Sequence, residues 1–127
     1  MAKQMRDFLE IHDILLTNQY GFLPGRSTSH ATQSVPEIIY KKQDNSDIAQ
    51  TVFLDNCKAF DTIEHAILLR KLEFYHFSLK SVNFLKSYLS YRKQFVKIKY
   101  DVSSDNCDIN IGVPQGSVLG LLLFLIY

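Results

Sequence analysis

The sequence has little of what usually settles a function quickly. There is no tryptophan, and there are only two cysteines. Cys57 and Cys107 lie far apart with no second cysteine or histidine at ligand spacing, which excludes a disulfide framework or a zinc site and leaves two reduced thiols. Cys57 directly follows Asp55-Asn56, but it reads first as a buried structural thiol. A charge excess of either sign is also lacking. Fourteen basic residues face thirteen acidic ones, for a formal net charge of +1. That balance neither demands nor excludes a nucleic-acid partner, because a basic stripe can lie on a neutral protein. No apolar run is long enough to cross a bilayer. The last stretch, 118–127, is apolar except for Gly120, but a span takes about 20 residues. The amino-terminal "MAKQMRDFLEIHD" is too polar for a signal peptide, and no basic import cluster is visible. The expectation is a soluble intracellular chain, nuclear or cytoplasmic, neither secreted nor transmembrane. Repeats and low-complexity tracts are absent. What is present is apolar material, 46% of 127 residues, enough for a core in one domain or part of one.

Periodicity divides that material into elements. Met5, Phe8, Ile11 and Leu15 recur at helical steps and predict a helix over 2–16. "QYGFLPGRSTSH" (19–30) is broken by Gly21, Pro24 and Gly25 and reads as a loop. Ser27, Thr28 or Ser29 then caps a helix over about 29–43. Pro36 lies inside it, and an interior proline costs about 3 kcal/mol, so this helix is expected to kink or to begin there. "DIAQTVFLD" (47–55) reads as a buried strand ending on a carboxylate. "IEHAILLRKLEFY" (63–75) is a helix with two apolar stripes, Leu68, Leu72 and Tyr75 on one and Ile63, Ile67 and Phe74 on the other. "SVNFLKSYLSY" (81–91) is a helix with Val82, Leu85 and Leu89 on one face. "KQFVKIKY" (93–100) alternates like a half-buried strand, with Lys93, Phe95, Lys97 and Lys99 on its basic face. A turn at 103–106, a short "CDINI" strand, the "GVPQGS" loop and a terminal helix follow. Helices and strands mix without a βαβ rhythm, which predicts an α+β fold.

Four stretches can carry chemistry. In "TVFLDNCKAFD", Asp55 ends a hydrophobic strand, the placement that anchors a hard cation through oxygen ligands; a turn-forming aspartate is the plainer alternative. Asp61 reads as the cap of the next helix. In "GVPQGS", Gly112 and Gly116 bracket a turn at the mouth of a helix. Backbone amides there can face an anion or a nucleotide, and Gln115 offers a donor and an acceptor; a plain loop capped by Ser117 explains the same residues. In "GFLPGRST", Arg26 can hold a phosphate bidentately or be a solvated loop residue. Arg92, Lys93, Lys97 and Lys99, with Phe95 interleaved, can track a phosphate backbone or form a solvated strand face. The four histidines make no metal spacing and read as structural or surface residues.

The order of these stretches is more specific than any one of them. "QYGFLPGRST", "VFLDNCKAFDTIEHAILLRKL", "FLKSYLSYRKQFVKI" and "GVPQGSVLGLLLFLIY" together resemble the reverse transcriptase domain of non-LTR, LINE-like retrotransposons over residues 8–127. The resemblance implies an RNA-directed DNA polymerase working on RNA template, DNA primer and dNTPs. The implied fold is part of the fingers and palm of a right-hand polymerase, with 1–46 on the fingers side and 47–127 forming an incomplete palm sheet packed with helices. It implies Asp55 as the first catalytic aspartate and a ligand of both Mg²⁺ ions, with the main-chain carbonyl of Asn56 beside it. Phe60 would stack under the incoming sugar. Gln115 and Gly116 would line the nucleotide pocket, Arg26 would approach template and nucleotide, and Arg92 and Lys93 would contact nucleic acid. The chemistry implied is two-metal phosphoryl transfer.

The chain departs from the family pattern at Leu23, at Asn56-Cys57 and at Leu121. The block with paired aspartates that follows "LLFLIY" in the family is absent, as are the thumb, the earlier fingers block and any endonuclease domain. The chain by itself is therefore expected not to polymerise. It would be a segment needing the rest of its polymerase, or else a non-catalytic nucleic-acid-binding remnant, or a relic frame. Val118 and Leu121 to Tyr127 are expected to stand bare as an exposed apolar patch.

Overall fold

The computed structural model describes residues 1–98 and 102–127. Among them are five helices: α1 (Ala2–Ile11), α2 (Thr28–Asp44), α3 (His65–Phe74), α4 (Leu79–Leu89) and α5 (Val118–Ile126). Four short strands, β1 (Arg92–Gln94), β2 (Lys97–Ile98), β3 (Val102–Ser103) and β4 (Cys107–Ile109), complete an α+β fold. The chain divides into two compact units, Met1–Ile14 with Lys58–Tyr127, and Leu15–Cys57.

The first unit holds the core. Leu68 and Leu72 lie one turn apart on α3, and Val82, Leu85 and Leu89 follow the same rule on α4; all five are buried. These stripes bring α3 against α4, and α5 packs on α1 and α3. Met5 and Leu9 of α1, Ile63 before α3, and Val113 before α5 close the interior. Burying such a side chain stabilises by about 1.5–3 kcal/mol, so the stripes decide the arrangement. The second stripe expected on α3 holds only in part: Ile63 is buried but Phe74 is 75% exposed.

The terminal helix is not bare. Leu122, Leu123 and Ile126 are at most 4% exposed, because α5 turns them onto α1 and α3. Leu121, Phe124 and Leu125 are half-buried, and only Val118 and Tyr127 of the expected patch are exposed. The Ser117 hydroxyl starts this helix by accepting the Gly120 amide at 2.9 Å. Losing such a cap costs about 1 kcal/mol, and Ser117→Ala is expected to lower stability by that amount in chemical denaturation. An unchanged midpoint would show that water replaces the cap.

The basic alternating stretch does not form one half-buried strand. β1 pairs antiparallel with β4 (Arg92 opposite Ile109, Lys93 opposite Asp108), and β2 pairs separately with β3 (Lys97 opposite Ser103). Between the two ribbons the Ser104 hydroxyl accepts the Val96 amide at 2.9 Å, so a side chain replaces a ladder bond. Phe95, Val96 and Ile98 are more than half exposed, since no second layer covers these ribbons among the described residues. Cys107 lies on β4 and is exposed, and Cys57 is exposed too; the buried-thiol expectation for Cys57 is thereby corrected.

In the second unit no residue is buried. α2 neither begins at Pro36 nor is interrupted there. The proline ring leaves the Thr32 carbonyl without its helical donor, and exposure to water makes that loss tolerable. The start is tied instead by Ser27, whose amide donates to His30 Nδ1 at 3.2 Å. The expected strand over 47–55 is absent. Residues 47–56 have no regular structure, and Val52, Phe53 and Leu54 are 71%, 82% and 88% exposed. A strand has no internal hydrogen bonds and exists only when another pairs with it; among the described residues none does.

Three helices stop at left-handed residues other than glycine. Asp13, Ser46 and His76 have φ of 48°, 62° and 59°. After each, the next amide reaches back to the helix: Ile14 to Leu9 O, Asp47 to Lys42 O and Phe77 to Leu72 O, at 2.9–3.1 Å. This is the Schellman closure. It ends α1 before the expected residue 16.

Candidate functional site

The best-defined surface feature of the first unit is built on the "GVPQGS" loop. Gly112 is its anchor. Its amide donates to Ile63 O at 2.8 Å, and the Val113 amide donates to Phe60 O at 2.9 Å. Gly112 has φ +80°, and a Cβ there would lie 2.8 Å from Asp61 Cα and 2.9 Å from Phe60 O. Only glycine allows this approach. The Gly112 carbonyl receives His65 Nε2 at 2.8 Å and Arg92 Nη1 at 3.2 Å. A carbonyl only accepts, so His65 carries its proton on Nε2.

The other end of the loop is anchored at Ser117. Its hydroxyl lies 2.9 Å from Pro114 O, 2.9 Å from the Gly120 amide and 3.0 Å from Tyr88 Oη. Pro114 O takes the single serine proton. The hydroxyl must therefore accept from Gly120 and Tyr88, which makes Tyr88 the donor. Between the anchors Gln115 and Gly116 are exposed. Gln115 borders a cleft of about 780 Å³ whose lining also includes Lys58, Asp61, Arg92 and Lys93. Such a volume is in the range of small-ligand sites.

The structure thus brings Gln115, Arg92 and Lys93 to one cleft. Arg92 is half-buried and partly committed to Gly112. Lys93 lies 3.8 Å from Asp108 across the ribbon, both exposed. An exposed pair like this contributes little to stability and leaves the ammonium accessible. Lys97 is exposed on β2, and Lys99 lies outside the described residues. Phe60 is half-buried and stacks on Phe124 with ring centroids 4.3 Å apart. Asp61 does not cap α3, whose N-cap is Glu64; its amide closes a turn onto Lys58 O at 2.8 Å.

In the second unit Arg26 is exposed, but Nη1 donates to Thr17 O and to Gln19 O, the latter at 2.6 Å. The guanidinium ties its own loop together, a use that spacing alone did not show. Asp55 and Asn56 are exposed in irregular chain. Among the described residues no group of three or more His, Cys, Asp or Glu side chains lies close enough to hold a metal ion. No helix among the described residues is long and apolar enough to cross a membrane.

Sequence reasoning missed His65, Tyr88 and Lys58. His65 and Gly112 are 47 positions apart and Tyr88 and Ser117 are 29, and no local pattern signals such bonds.

Comparison with known proteins shows what the chain is similar to. The family model described as reverse transcriptase (RNA-dependent DNA polymerase) matches residues 1–127. Over 127 residues the chain is 32% identical to a probable RNA-directed DNA polymerase from transposon BS of Drosophila melanogaster, covering all of this chain and 14% of the relative. Identity and coverage are the same for a probable RNA-directed DNA polymerase from transposon X-element of that species. The RNA-directed DNA polymerase from mobile element jockey of Drosophila funebris is 32% identical over 114 residues, 86% of this chain and 12% of the relative. No solved structure matches.

Proposed function

The chain belongs to the reverse transcriptase (RNA-dependent DNA polymerase) family, and from that premise we propose that it is a segment of the RNA-directed DNA polymerase of a non-LTR, LINE-like mobile element. It spans 14% of the length of the first two relatives. The carrying observation is the cleft in which Gln115, at the tip of a doubly anchored loop, meets Lys58, Arg92 and Lys93. A donor–acceptor side chain among cations suits a nucleotide and the phosphates of a template–primer.

In this reading residues 1–46 belong to the fingers side and 47–127 to an incomplete palm. Gln115 and Gly116 line the nucleotide pocket, with Phe60 below the sugar. Arg26, Arg92, Lys93, Lys97 and Lys99 contribute to holding template, primer or nucleotide. Asp55 is the catalytic carboxylate, with the Asn56 carbonyl beside it. The family generally uses divalent metal ions, and Mg²⁺, a hard cation taking oxygen ligands, is the ion proposed for the longer protein. The described residues do not by themselves make a complete metal site. Because it spans so small a share of the relatives, this segment alone is proposed not to polymerise.

The test is primer extension. A longer protein containing this chain, given poly(rA)–oligo(dT), dTTP and Mg²⁺, is expected to extend the primer, and the 127-residue chain is expected not to. Extension by the short chain would overturn its proposed inactivity. An inert longer protein would overturn the polymerase reading.

A further inference from the structure

The loop that presents Gln115 is held by residues outside the loop itself. At one end, both lone pairs of the Gly112 carbonyl are filled, one by His65 Nε2–H at the start of α3 and one by Arg92 Nη1–H of β1. The same glycine donates to Ile63 O, and no side chain larger than hydrogen fits between it and Asp61 Cα. At the other end the Ser117 hydroxyl has all of its bonding capacity used, by Pro114 O, the Gly120 amide and Tyr88 Oη. Three elements therefore converge on two points, and the exposed residues between those points, Gln115 and Gly116, inherit their position from them.

We propose that His65 and Tyr88 are positioning residues of the polymerase site, setting the Gln115 tip against the incoming nucleotide through Gly112 and Ser117. This deepens the reading of Gln115 as a nucleotide-pocket residue and rests on it. Neither residue lines the cleft. His65 is occupied by a backbone carbonyl and Tyr88 by a serine hydroxyl, so each acts through the loop. A loop held at both ends binds without first paying to be ordered. Releasing one anchor weakens nucleotide binding and leaves the chemical step alone, which in kinetic terms raises KM with kcat unchanged. Arg92 shares the Gly112 anchor but also lines the cleft, so His65 and Tyr88 are the cleaner probes.

The experiment uses the longer polymerase with poly(rA)–oligo(dT) and titrated dTTP, together with amide hydrogen exchange over residues 112–117. His65→Ala and Tyr88→Phe are each expected to raise the dTTP KM roughly two- to tenfold, the worth of one hydrogen bond, with kcat within about twofold. Exchange at Gln115 and Gly116 is expected to quicken in both. His65→Gln, which returns an N–H donor at similar reach, is expected to restore KM. Tyr88→Phe removes only a hydroxyl, so a His65→Ala protein that fails to fold leaves the question answerable. An unmoved KM in an active, folded variant overturns the positioning role even if exchange quickens. A kcat loss without a KM change does so as well. A wild-type polymerase without activity removes the underlying reading and this inference with it.

Discussion

Asp55→Asn in the longer polymerase is expected to reduce primer extension at least roughly a hundredfold, the scale of removing one charge-stabilising group from a phosphoryl- or acyl-transfer site. Stability is expected to stay within about 0.5 kcal/mol of the parent, as for surface substitutions generally. The two halves of this expectation come from different observations. The carboxylate is exposed on irregular chain and has no ion-pair or hydrogen-bond partner among the described residues, so it contributes nothing to packing. Its proposed value is its charge, which asparagine removes while keeping size and shape. Parallel measurement of extension rate and denaturation midpoint separates the outcomes. Full activity would show that Asp55 is not the catalytic carboxylate. A loss of activity matched by an equal loss of stability would assign it a structural role.

The second large effect is expected at Gly120, where two tendencies oppose each other. In an exposed helix, alanine is favoured over glycine by about 1 kcal/mol. At Gly120 a Cβ would stand 2.3 Å from Pro114 O and 2.6 Å from Ser117 Oγ. Neither neighbour can yield cheaply. Pro114 O is backbone and accepts the Ser117 proton, and Ser117 Oγ caps the very helix that carries Gly120. Overpacking of this kind costs about 1–3 kcal/mol and occasionally more, and a displaced cap adds about 1 kcal/mol. Gly120→Ala is therefore expected to destabilise the 127-residue chain by about 2–4 kcal/mol in denaturant, read as a lower midpoint at constant slope. Gly116→Ala is the comparison. It has open space but φ +85°, so only the left-handed penalty of about 1–2 kcal/mol applies. If Gly120→Ala proved more stable than the parent, the close contact of α5 with the 114–117 turn would be wrong.

What could be read in advance follows the range of the forces involved. Helices α3 and α4 were legible because each has its own periodic apolar stripe, and α5 because a continuous apolar run follows the Ser117 cap. The family was legible because four motif blocks keep their order along the chain. The strand over 47–55 was misread for a physical reason: Val52, Phe53 and Leu54 have strand propensity, but a strand needs a neighbour, and propensity does not supply one. Pro36 does not start its helix because the penalty for a lost helical bond depends on whether water reaches the orphaned carbonyl. The end of α1 was missed because Asp13 takes the left-handed position usually given to glycine.

By itself, then, the sequence determined the α+β class, the helical stripes that make the core, the "GVPQGS" loop with its serine cap, and membership of a polymerase family. These rest on local bonding, periodicity and the order of motifs, all of which are written along the chain. Only the tertiary structure decided that the apolar terminal helix is covered, because burial depends on which faces of α1 and α3 meet Leu122, Leu123 and Ile126. It alone decided that Arg26 closes its own loop, and that His65, Arg92 and Tyr88 converge on Gly112 and Ser117. A hydrogen bond acts over about 3 Å, and residues 20 to 47 positions apart come within that distance only after the chain has folded.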